Sequence, residues 1–318
     1  MSARDQVLVA GSANIDIMLQ VPRTPHQGES LVVAGQRTGL GGKGSNRAIA
    51  LQRLGLDVQF CCKLGQDSSG DLVFSKLQAE GIGTRLVKRD EHVGTGTAYI
   101  MVEPSGKNTI LSYLGANNAF TQTDINEIVD QLSSFSFLSL ELECSLSLIE
   151  QLLYHGRKQE KVIIVDAGPV REIELSEFRD VDVFSPNETE AAQWTGFAVD
   201  TEAAAREACR YLYEATGSKR VLLKRGEDGA MLYDGQDIRN FPAYREAGQV
   251  VDTTAAGDCF MGALTLGMAR KMPLDQAIYY ANVAAAIAVT RSGAATSLPT
   301  GAEADEMFTK ACEGGYVK

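Results

Sequence analysis

The sequence lacks the cysteine and histidine spacings that are typical of metal sites. Its 318 residues include six cysteines and three histidines, and no two cysteines form a CxxC pair. Buried reduced thiols are therefore favoured over a metal or disulfide framework. No stretch approaches the roughly 18 apolar residues of a membrane span, and the first residues, MSARDQVLVAG, lack the apolar core of a signal peptide. We therefore expect a cytoplasmic protein.

Positive charge is also scarce. The chain has 30 Lys and Arg against 41 Asp and Glu, a net charge of -11, which disfavours nucleic acid and anionic membranes as partners. A small anionic substrate is not excluded, because a local site can oppose the overall charge. The length fits either two average domains or one large α/β domain. No linker, internal repeat or low-complexity tract divides the chain, so we expect a single domain over residues 1–318.

Short apolar runs alternate with helical segments along most of the chain. The apolar runs predict strands, and Gly55 and Gly81 end two of the predicted helices. Such alternation indicates an α/β fold with a mainly parallel sheet covered on both faces, a three-layer αβα arrangement. The predicted strands are QVLVAGS, DVQFCCKLG, FSFLSLEL, KVIIVDAG, DVFSPN and KRVLLKRG, and the helices include GSNRAIALQRLG, SSGDLVFSKLQAEG, 145–158 and 201–215.

Two segments depart from this alternation of strands and helices, because their apolar and polar residues alternate with a period of two. One runs over 17–38, and the other lies within 93–115, where GTAYIMVEPSGKNTILSYL predicts a hairpin that turns at 105–107. Antiparallel strands fit poorly in a parallel core. We expect them to form a small separate sheet that projects from one edge.

The stretch VVDTTAAGDCFMGAL, residues 250–264, places tiny side chains and a carboxylate where a strand passes into a helix. A helix start presents free N–H groups and the positive end of its dipole, and small residues let an anion reach them. Asp258 would be ionised there and could take a proton from a hydroxyl beside a bound phosphate, as phosphoryl transfer to an alcohol requires. An ordinary first-turn Asp is the alternative.

A second glycine-rich stretch, GLGGKGSNRAIALQRLG, covers residues 39–55. It does not match a P-loop, because Gly44 follows Lys43 and Arg37 stands where the first glycine belongs, and GxGxxG does not fit directly after a strand. Consecutive glycines beside Lys43 and Asn46 indicate close contact with a polyhydroxylated ligand. A plain glycine-rich turn is the alternative.

Together these two stretches resemble the paired signatures of the ribokinase (PfkB) family of carbohydrate kinases. GSANID, LELE, SPNETEAAQWTG, KRGEDG and AAAIAVTRSGAATSLP fall in the family's order, so the resemblance covers nearly the whole chain. Within the family, the details are most similar to the members that phosphorylate ribose. The resemblance implies the family's three-layer α/β fold with a small β-sheet lid.

The resemblance also implies roles for individual residues. Asp258 would be the base that takes the proton of the sugar's primary hydroxyl, and the amides of Ala255, Ala256 and Gly257 would form an anion hole. For Asp16 and Glu143, which would bind sugar hydroxyls, the alternative is a solvated surface carboxylate. The residues that would bind the sugar hydroxyls, together with Asp258, are Asn14, Asp16, Gly42, Lys43, Asn46 and Glu143.

For the nucleotide and its metal ion, the resemblance implies ATP and Mg²⁺. Asn187 and Glu190 would hold Mg²⁺ through water, although their spacing also fits a helix capping box. Lys224, Gly226 and Gly229 would border ATP, and Asn282 would contact the adenine. Many ribose-phosphorylating members carry Thr or another small residue where this chain has Lys224, so this lysine is either an added phosphate contact or a solvated edge residue.

A potassium site is implied as well, with an ordinary Asp cap and a helix-ending glycine as the alternative. Its residues, which would supply mostly carbonyl oxygens and one carboxylate, are Asp252, Thr254, Ala288, Arg291, Gly293 and Ser297.

The implied activity is ATP-dependent phosphorylation of D-ribose to ribose 5-phosphate. The alternatives are a kinase of 2-deoxyribose, fructose or a nucleoside, and a sugar-binding protein without catalysis, which the retained Asp258 disfavours. Asn14 favours ribose over 2-deoxyribose, because its amide needs a hydroxyl partner. The implied partners are a small sugar and ATP, and the implied assembly is a homodimer whose lids pack together.

Overall fold

The computed structural model describes residues 7–105 and 107–317, in which thirteen strands and nine α-helices are present. The strands are β1 Val7–Ala10, β2 Asn14–Gln20, β3 Gly35–Gly41, β4 Val58–Gly65, β5 Gly83–Asp90, β6 Gly96–Val102, β7 Asn108–Tyr113, β8 Phe137–Glu141, β9 Val162–Asp166, β10 Val183–Ser185, β11 Val221–Lys224, β12 Ala230–Tyr233 and β13 Ile238–Phe241. The helices are α1 Lys43–Arg53, α2 Ser68–Ala79, α3 Gln122–Val129, α4 Leu146–Lys158, α5 Glu188–Thr195, α6 Glu202–Thr216, α7 Ala256–Ala269, α8 Leu274–Ala288 and α9 Gly301–Glu313.

Nine strands form one large sheet in the order β13-β12-β11-β10-β9-β8-β1-β4-β5. Seven of these strands, from β11 to β5, pair in parallel, and β12 and β13 add an antiparallel edge. The predicted α/β fold with a mainly parallel sheet is confirmed. Gln6, the first residue of the predicted QVLVAGS strand, and Gly106 in the predicted hairpin turn lie outside the described residues.

The central strand β1 shows why both faces of this sheet are covered. Side chains alternate along a strand, so Val7 and Val9 pack into one hydrophobic core while Leu8 and Ala10 pack into another. The first core lies against helices α1, α7 and α8, and the second against α4 and α6. The result is the expected three-layer arrangement.

Four strands form a separate small sheet in the order β3-β2-β6-β7. β2 pairs antiparallel with β3 and in parallel with β6, and β6 and β7 form an antiparallel hairpin. The predicted small sheet beside the parallel core is therefore confirmed, with strands that begin at Asn14 and end at Tyr113.

The parallel strands bring several polar residues to one edge of the large sheet. Glu141 ends β8 and is paired with Asp166 at the end of β9, while Lys224 ends β11. Asn187 follows β10 and forms a bridge to Lys224. Because carboxyl ends of parallel strands share one edge, residues far apart in sequence meet there.

Five of the six cysteines are buried free thiols, and Cys312 is an exposed free thiol. The predicted burial therefore holds for five of the six side chains. Among the described residues, no helix has both the length and the apolar character needed to span a bilayer.

Candidate active site

A glycine brings the start of α1 into contact with the segment between β1 and β2. Gly42 has a φ of 98°, and a Cβ there would lie 2.7 Å from the Ser12 carbonyl oxygen and 2.9 Å from the Asn14 nitrogen. Any other residue would push these backbones apart. The contact explains the consecutive glycines, which set Lys43 and Asn46 beside the Asn14 strand.

Asn14 is held by a neighbour that the sequence interpretation missed. Asn117, which is fully buried, accepts the Ala13 N–H at 2.9 Å through Oδ1 and donates from Nδ2 to the Asn14 Oδ1 at 2.7 Å. Asn14 is itself 4% exposed. Because its Oδ1 is occupied, Asn14 is oriented with its amide nitrogen available as a donor.

Three acidic residues, Asp16, Glu141 and Glu143, lie close to the segment between β1 and β2. Glu143 accepts a hydrogen bond from the Ser12 hydroxyl at 2.6 Å, and Glu141 behind it accepts from the backbone N–H groups of Ser12 and Glu143. Burial, with the charge of Glu143, raises the pKa of Glu141 to about 8. Asp16 and Glu143 are half-buried, so neither is the freely solvated carboxylate of the alternative interpretation.

The ionisation of Asp16 is disfavoured at this place. Burial raises its pKa from 3.8 to about 7, and the charges of Glu143 and Asp258 act in the same direction. These effects identify Asp16, Glu143 and Asp258 as members of one cluster.

Asp16 should make stability depend on pH. Its pKa is raised in the folded state, so its contribution is fully present below pH 3.8 and is lost as the pH rises to about 7. We expect the free energy of unfolding of Asp16→Asn, relative to that of the wild type, to rise by on the order of 2 kcal/mol from pH 4 to pH 8. The full pKa shift would give a larger value, but solvent at a half-buried group weakens the effect. Urea unfolding across this range measures the gain, and a pH-independent difference would contradict it.

Asp258 lies in the first turn of α7 and is 6% exposed. Asn46 donates from Nδ2 to its Oδ2 at 2.9 Å. Burial raises the pKa of Asp258 above its ordinary value, while Lys43 and Arg47 oppose the rise. The carboxyl group is therefore a stronger base than the dipole-stabilised Asp expected from sequence. The Asn46 Oδ1 is buried and has no partner among the described residues, which leaves an acceptor for a hydroxyl.

The helix start itself offers free donors. Ala255 caps α7 in the left-handed conformation, with a φ of 60°. Ala256 donates to the Thr253 carbonyl at 3.2 Å, whereas the amides of Gly257 and Asp258 have no hydrogen-bond acceptor within the described residues. Of the three amides expected in the anion hole, that of Ala256 is thus partly engaged, and those of Ala255 and Gly257 have no acceptor among the described residues. The amide of Asp258, which was not in the predicted set, is also free to bind an anion.

A cavity of about 820 Å³ opens outside these amides. Asp258, Gly257 and Lys43 lie on its wall, as do Lys224 and Asn282. Asn282 donates to the carbonyls of Phe241 and Pro242 at 3.2 and 3.1 Å, which ties α8 to the end of β13. Such a volume suits a nucleotide-sized ligand.

The two glycines assigned to the nucleotide site have different positions. Gly226 lines the cavity. Gly229 is not among its lining residues, and a Cβ at Gly229 would collide with the backbone from Phe241 to Ala243. Gly229, with a φ of 86°, therefore allows close packing of the turn after β11.

Lys224 is not a solvated edge residue. Its side chain is 12% exposed, and its ammonium contacts Asp166. Arg47 also reaches Asp166, at 2.7 Å, and donates to the Leu140 carbonyl at 2.9 Å. Burial would raise the pKa of Asp166, but Lys224, Lys43 and Arg47 hold it below its ordinary value. The sequence interpretation missed Asp166 and Arg47, although Asp166 ends a buried strand.

Asn187 and Glu190 form the capping box at the start of α5. The Asn187 Oδ1 accepts the Glu190 N–H at 2.8 Å, and the Glu190 Oε2 accepts the Asn187 N–H at 2.7 Å. The remaining Glu190 oxygen lies 3.9 Å from the Lys43 ammonium. Asn187 also lines the cavity. The pair is therefore a helix cap in which the second Glu190 oxygen faces Lys43 and Asn187 borders the cavity.

The residues assigned to potassium lie in the segment before α7 and in the segment that runs from the last residue of α8 to Ser297. Asp252 accepts from the Thr254 N–H at 2.9 Å and hydroxyl at 2.6 Å, and from the Gly293 N–H at 2.9 Å. These bonds hold the pKa of Asp252 below its ordinary value even though burial opposes this. The Arg291 guanidinium pairs with Glu303 at 2.6 Å, so only its backbone could face an ion. Ser297 donates to the Ala294 carbonyl at 2.8 Å, and the Ala288 carbonyl accepts the Arg291 N–H at 3.1 Å.

Known proteins with similar sequences and structures extend over nearly the full chain. The sequence pattern of the pfkB family of carbohydrate kinases matches residues 4–301. Ribokinase of Haemophilus influenzae is 31% identical over 308 residues, which cover 97% of this chain and 100% of that protein. Deoxyribokinase of Salmonella typhi is 31% identical over 295 residues, which cover 92% and 95%, respectively.

A solved structure agrees with this assignment. Arabidopsis thaliana ribokinase complexed with ribose and ATP matches this fold with a TM-score of 0.87 and 30% identity, over 96% of this chain and 99% of that chain. The chain therefore belongs to the pfkB family of carbohydrate kinases, as a ribokinase-type enzyme that transfers a phosphoryl group to an alcohol.

Proposed function

We propose that the protein uses ATP to phosphorylate the primary hydroxyl of D-ribose, giving ribose 5-phosphate and ADP. The observation that carries this proposal is the position of the Asp258 carboxyl group. It lies between the start of β2, which carries Asn14 and Asp16, and the 820 Å³ cavity, beside the amides of Gly257 and Asp258, which have no partner among the described residues. The Arabidopsis thaliana ribokinase structure, which holds ribose and ATP, supports the same pair of ligands.

The residues of the site divide the chemistry among them. Asp258 takes the proton of the sugar hydroxyl, and its raised pKa suits a base that must both accept and release a proton. Asn46 orients this carboxyl group through its 2.9 Å hydrogen bond. The free amides at the start of α7 bind the charge that develops on the transferred group. ATP supplies the phosphoryl group, and Mg²⁺ shields its charge.

Magnesium would be held mainly through water and the nucleotide. Among the described residues, no three His, Cys, Asp or Glu side chains lie together in a way that could hold a metal ion. Mg²⁺ keeps several of its waters and commonly uses one or two carboxylates together with substrate phosphates. The Glu190 oxygen that faces Lys43, together with Asn187 at the cavity wall, fits this kind of outer contact.

The choice of sugar is the finer part of the proposal. Ribokinase and deoxyribokinase relatives are equally similar to this chain, each at 31% identity. The buried Asn14 amide nitrogen, oriented by Asn117, favours a sugar that places a hydroxyl against it. A sugar without this hydroxyl would leave the donor unpaired. Its binding would be weaker, so the site would discriminate against it.

A coupled assay of ADP release tests the proposal directly. Purified protein is supplied with ATP, Mg²⁺ and, in separate reactions, ribose, 2-deoxyribose, fructose and nucleosides. We expect the highest kcat/KM with ribose. A higher value with 2-deoxyribose, fructose or a nucleoside would assign the enzyme to that substrate and reject ribose.

We further propose potassium activation through the Asp252 loop. One carboxylate with neighbouring carbonyl oxygens is a donor set that suits a weakly hydrated alkali cation. The hydrogen bonds of Asp252 link this loop to Gly293, and Thr254 directly precedes the anion-binding helix start. An ion there would order the amides that bind phosphate.

The expected result is faster turnover in KCl than in NaCl at equal ionic strength. Asp252→Asn should reduce this difference, because it removes the carboxylate charge. Equal turnover of the wild type in the two salts would reject the potassium site.

The small sheet is proposed to act as a lid and to form a homodimer. Tyr99 pairs with Leu111 across β6 and β7, and together with Tyr113 they leave an apolar face about half exposed. Asp16 lies on the opposite face of this sheet, because side chains alternate along β2. The exposed face therefore points away from the sugar and is available to a second copy.

Light scattering at micromolar concentration should give a dimer mass for the wild type. Leu111→Asp should shift the protein towards a monomer, because a charge on the shared apolar face must lose its water. Tyr211→Asp is the matched control, since Tyr211 is an exposed aromatic residue on α6 outside the small sheet. A wild-type monomer would contradict the proposal.

The cytoplasmic location remains a prediction from the sequence.

A further inference from the structure

Three cationic side chains converge on the single buried carboxylate of Asp166. Lys224 contacts its Oδ1, Arg47 lies 2.7 Å from its Oδ2, and Lys43 lies 3.9 Å from the same oxygen. Asp166 is 1% exposed. The cluster joins residues from α1, β9 and β11, which meet at the carboxyl edge of the sheet.

One of these cations is enough to neutralise Asp166. Arg47 is fully buried and makes a direct ion pair through Nη2, and its Nη1 donates to the Leu140 carbonyl, while its Nε has no partner among the described residues. Burying further charge is unfavourable unless a partner compensates it. Lys43 also faces Glu190, at 3.9 Å, but Lys224 has no second carboxylate within ion-pair distance in the described residues.

The surplus positive charge faces the cavity. Lys43 and Lys224 both line it, whereas Arg47 lies behind them in the core. The backbone of Lys224 is anchored, because its N–H donates to the Pro186 carbonyl at 2.9 Å. Its flexible side chain can therefore turn from Asp166 towards the cavity while the strand stays in place.

We propose that Lys224 binds the terminal phosphates of the nucleotide, with Asp166 as the positioning residue that holds its ammonium at the cavity wall before the nucleotide arrives. This inference rests on the proposed ATP-dependent function. Lys224 lies at the end of the cavity that contains Lys43, which in turn neighbours Asp258, so its contact is with the phosphates rather than the nucleoside. The binding of adenosine, which has no phosphate, should therefore not depend on Lys224.

Calorimetric binding without sugar tests this assignment on the full-length protein. The ligands are the nonhydrolysable analogue AMP-PNP with Mg²⁺, and adenosine. We expect Lys224→Met to weaken AMP-PNP binding by about 10- to 100-fold, as for loss of a charge-assisted hydrogen bond, and to leave adenosine binding unchanged. Lys224→Arg should recover most of the affinity because it keeps the charge.

Lys219→Met is the matched control, because Lys219 also pairs with an aspartate, Asp182, but does not line the cavity. It should bind both ligands like the wild type. If Lys224→Met does not fold, Lys224→Gln replaces it, since an amide can still donate to Asp166. Equal loss of AMP-PNP and adenosine binding, or no loss of AMP-PNP binding, would overturn the inference. A wild type that binds no AMP-PNP and phosphorylates no sugar would instead overturn the proposed function.

Discussion

Replacing Asp258 by Asn is expected to lower kcat by about 10²- to 10⁴-fold, the usual contribution of a positioned general base. The amide has nearly the same shape and can still contact Asn46, which bonds to this side chain at 2.9 Å. It cannot accept the proton of the sugar hydroxyl. The loss should therefore appear in kcat, while the affinities for sugar and nucleotide change much less.

Steady-state ADP release with ribose and ATP measures this effect, and calorimetry measures the affinities. Asp182→Asn is the control, because Asp182 is also a buried aspartate but pairs with Lys219 and the Ile163 N–H away from the cavity. It should retain near wild-type kcat. If the kcat of Asp258→Asn lies within threefold of the wild-type value, Asp258 is not the general base, and the proposed mechanism is rejected.

Replacing Arg47 by Met is expected to lower the free energy of unfolding by about 3–5 kcal/mol, the usual cost of breaking a buried ion pair. Arg47 and Asp166 are both almost fully buried and lie 2.7 Å apart. The substitution also leaves the Leu140 carbonyl without its 2.9 Å donor. Methionine keeps much of the side-chain volume, so the loss reports mainly on charge and hydrogen bonding.

Chemical denaturation at pH 7 measures the change. Arg206→Met is the control, because Arg206 forms an exposed pair with Glu202 four residues earlier on the same helix, and such pairs contribute about 0.3–0.5 kcal/mol. If Arg47→Met costs less than about 1 kcal/mol, Lys43 and Lys224 alone suffice to stabilise Asp166. The cluster would then have no surplus cation.

The local pattern of the sequence was sufficient for the secondary structure around the site. The run that ends at Ala10 forms β1, and the segment after Ala255 forms α7, because apolar periodicity and helix-start residues act within a few positions. The same locality explains why Asn187 and Glu190 form the capping box that their spacing permits. The family resemblance then added roles that spacing alone left open.

The residues that support the site could not be found in this way. Asn117 acts on Asn14 across 103 positions of sequence, and Arg47 acts on Asp166 across 119. A lone buried asparagine or arginine has no periodic signal, and its partner is set by which strands become neighbours. The interpretation of Lys224 stayed open for the same reason, because its partner Asp166 ends β9, which lies two strands away from β11 in the sheet.

By itself, the sequence determined the alternation of strands and helices, the hairpin of β6 and β7 in the small sheet, and the helix start that carries Asp258, since each depends on residues close together in the chain. Only the tertiary structure decided which charges face one another. The strand order β11-β10-β9-β8-β1 brings distant strand ends to one edge, and burial there raises the pKa of Asp258 and keeps Asp166 among three cations. Long-range contacts and the loss of water around them set these properties.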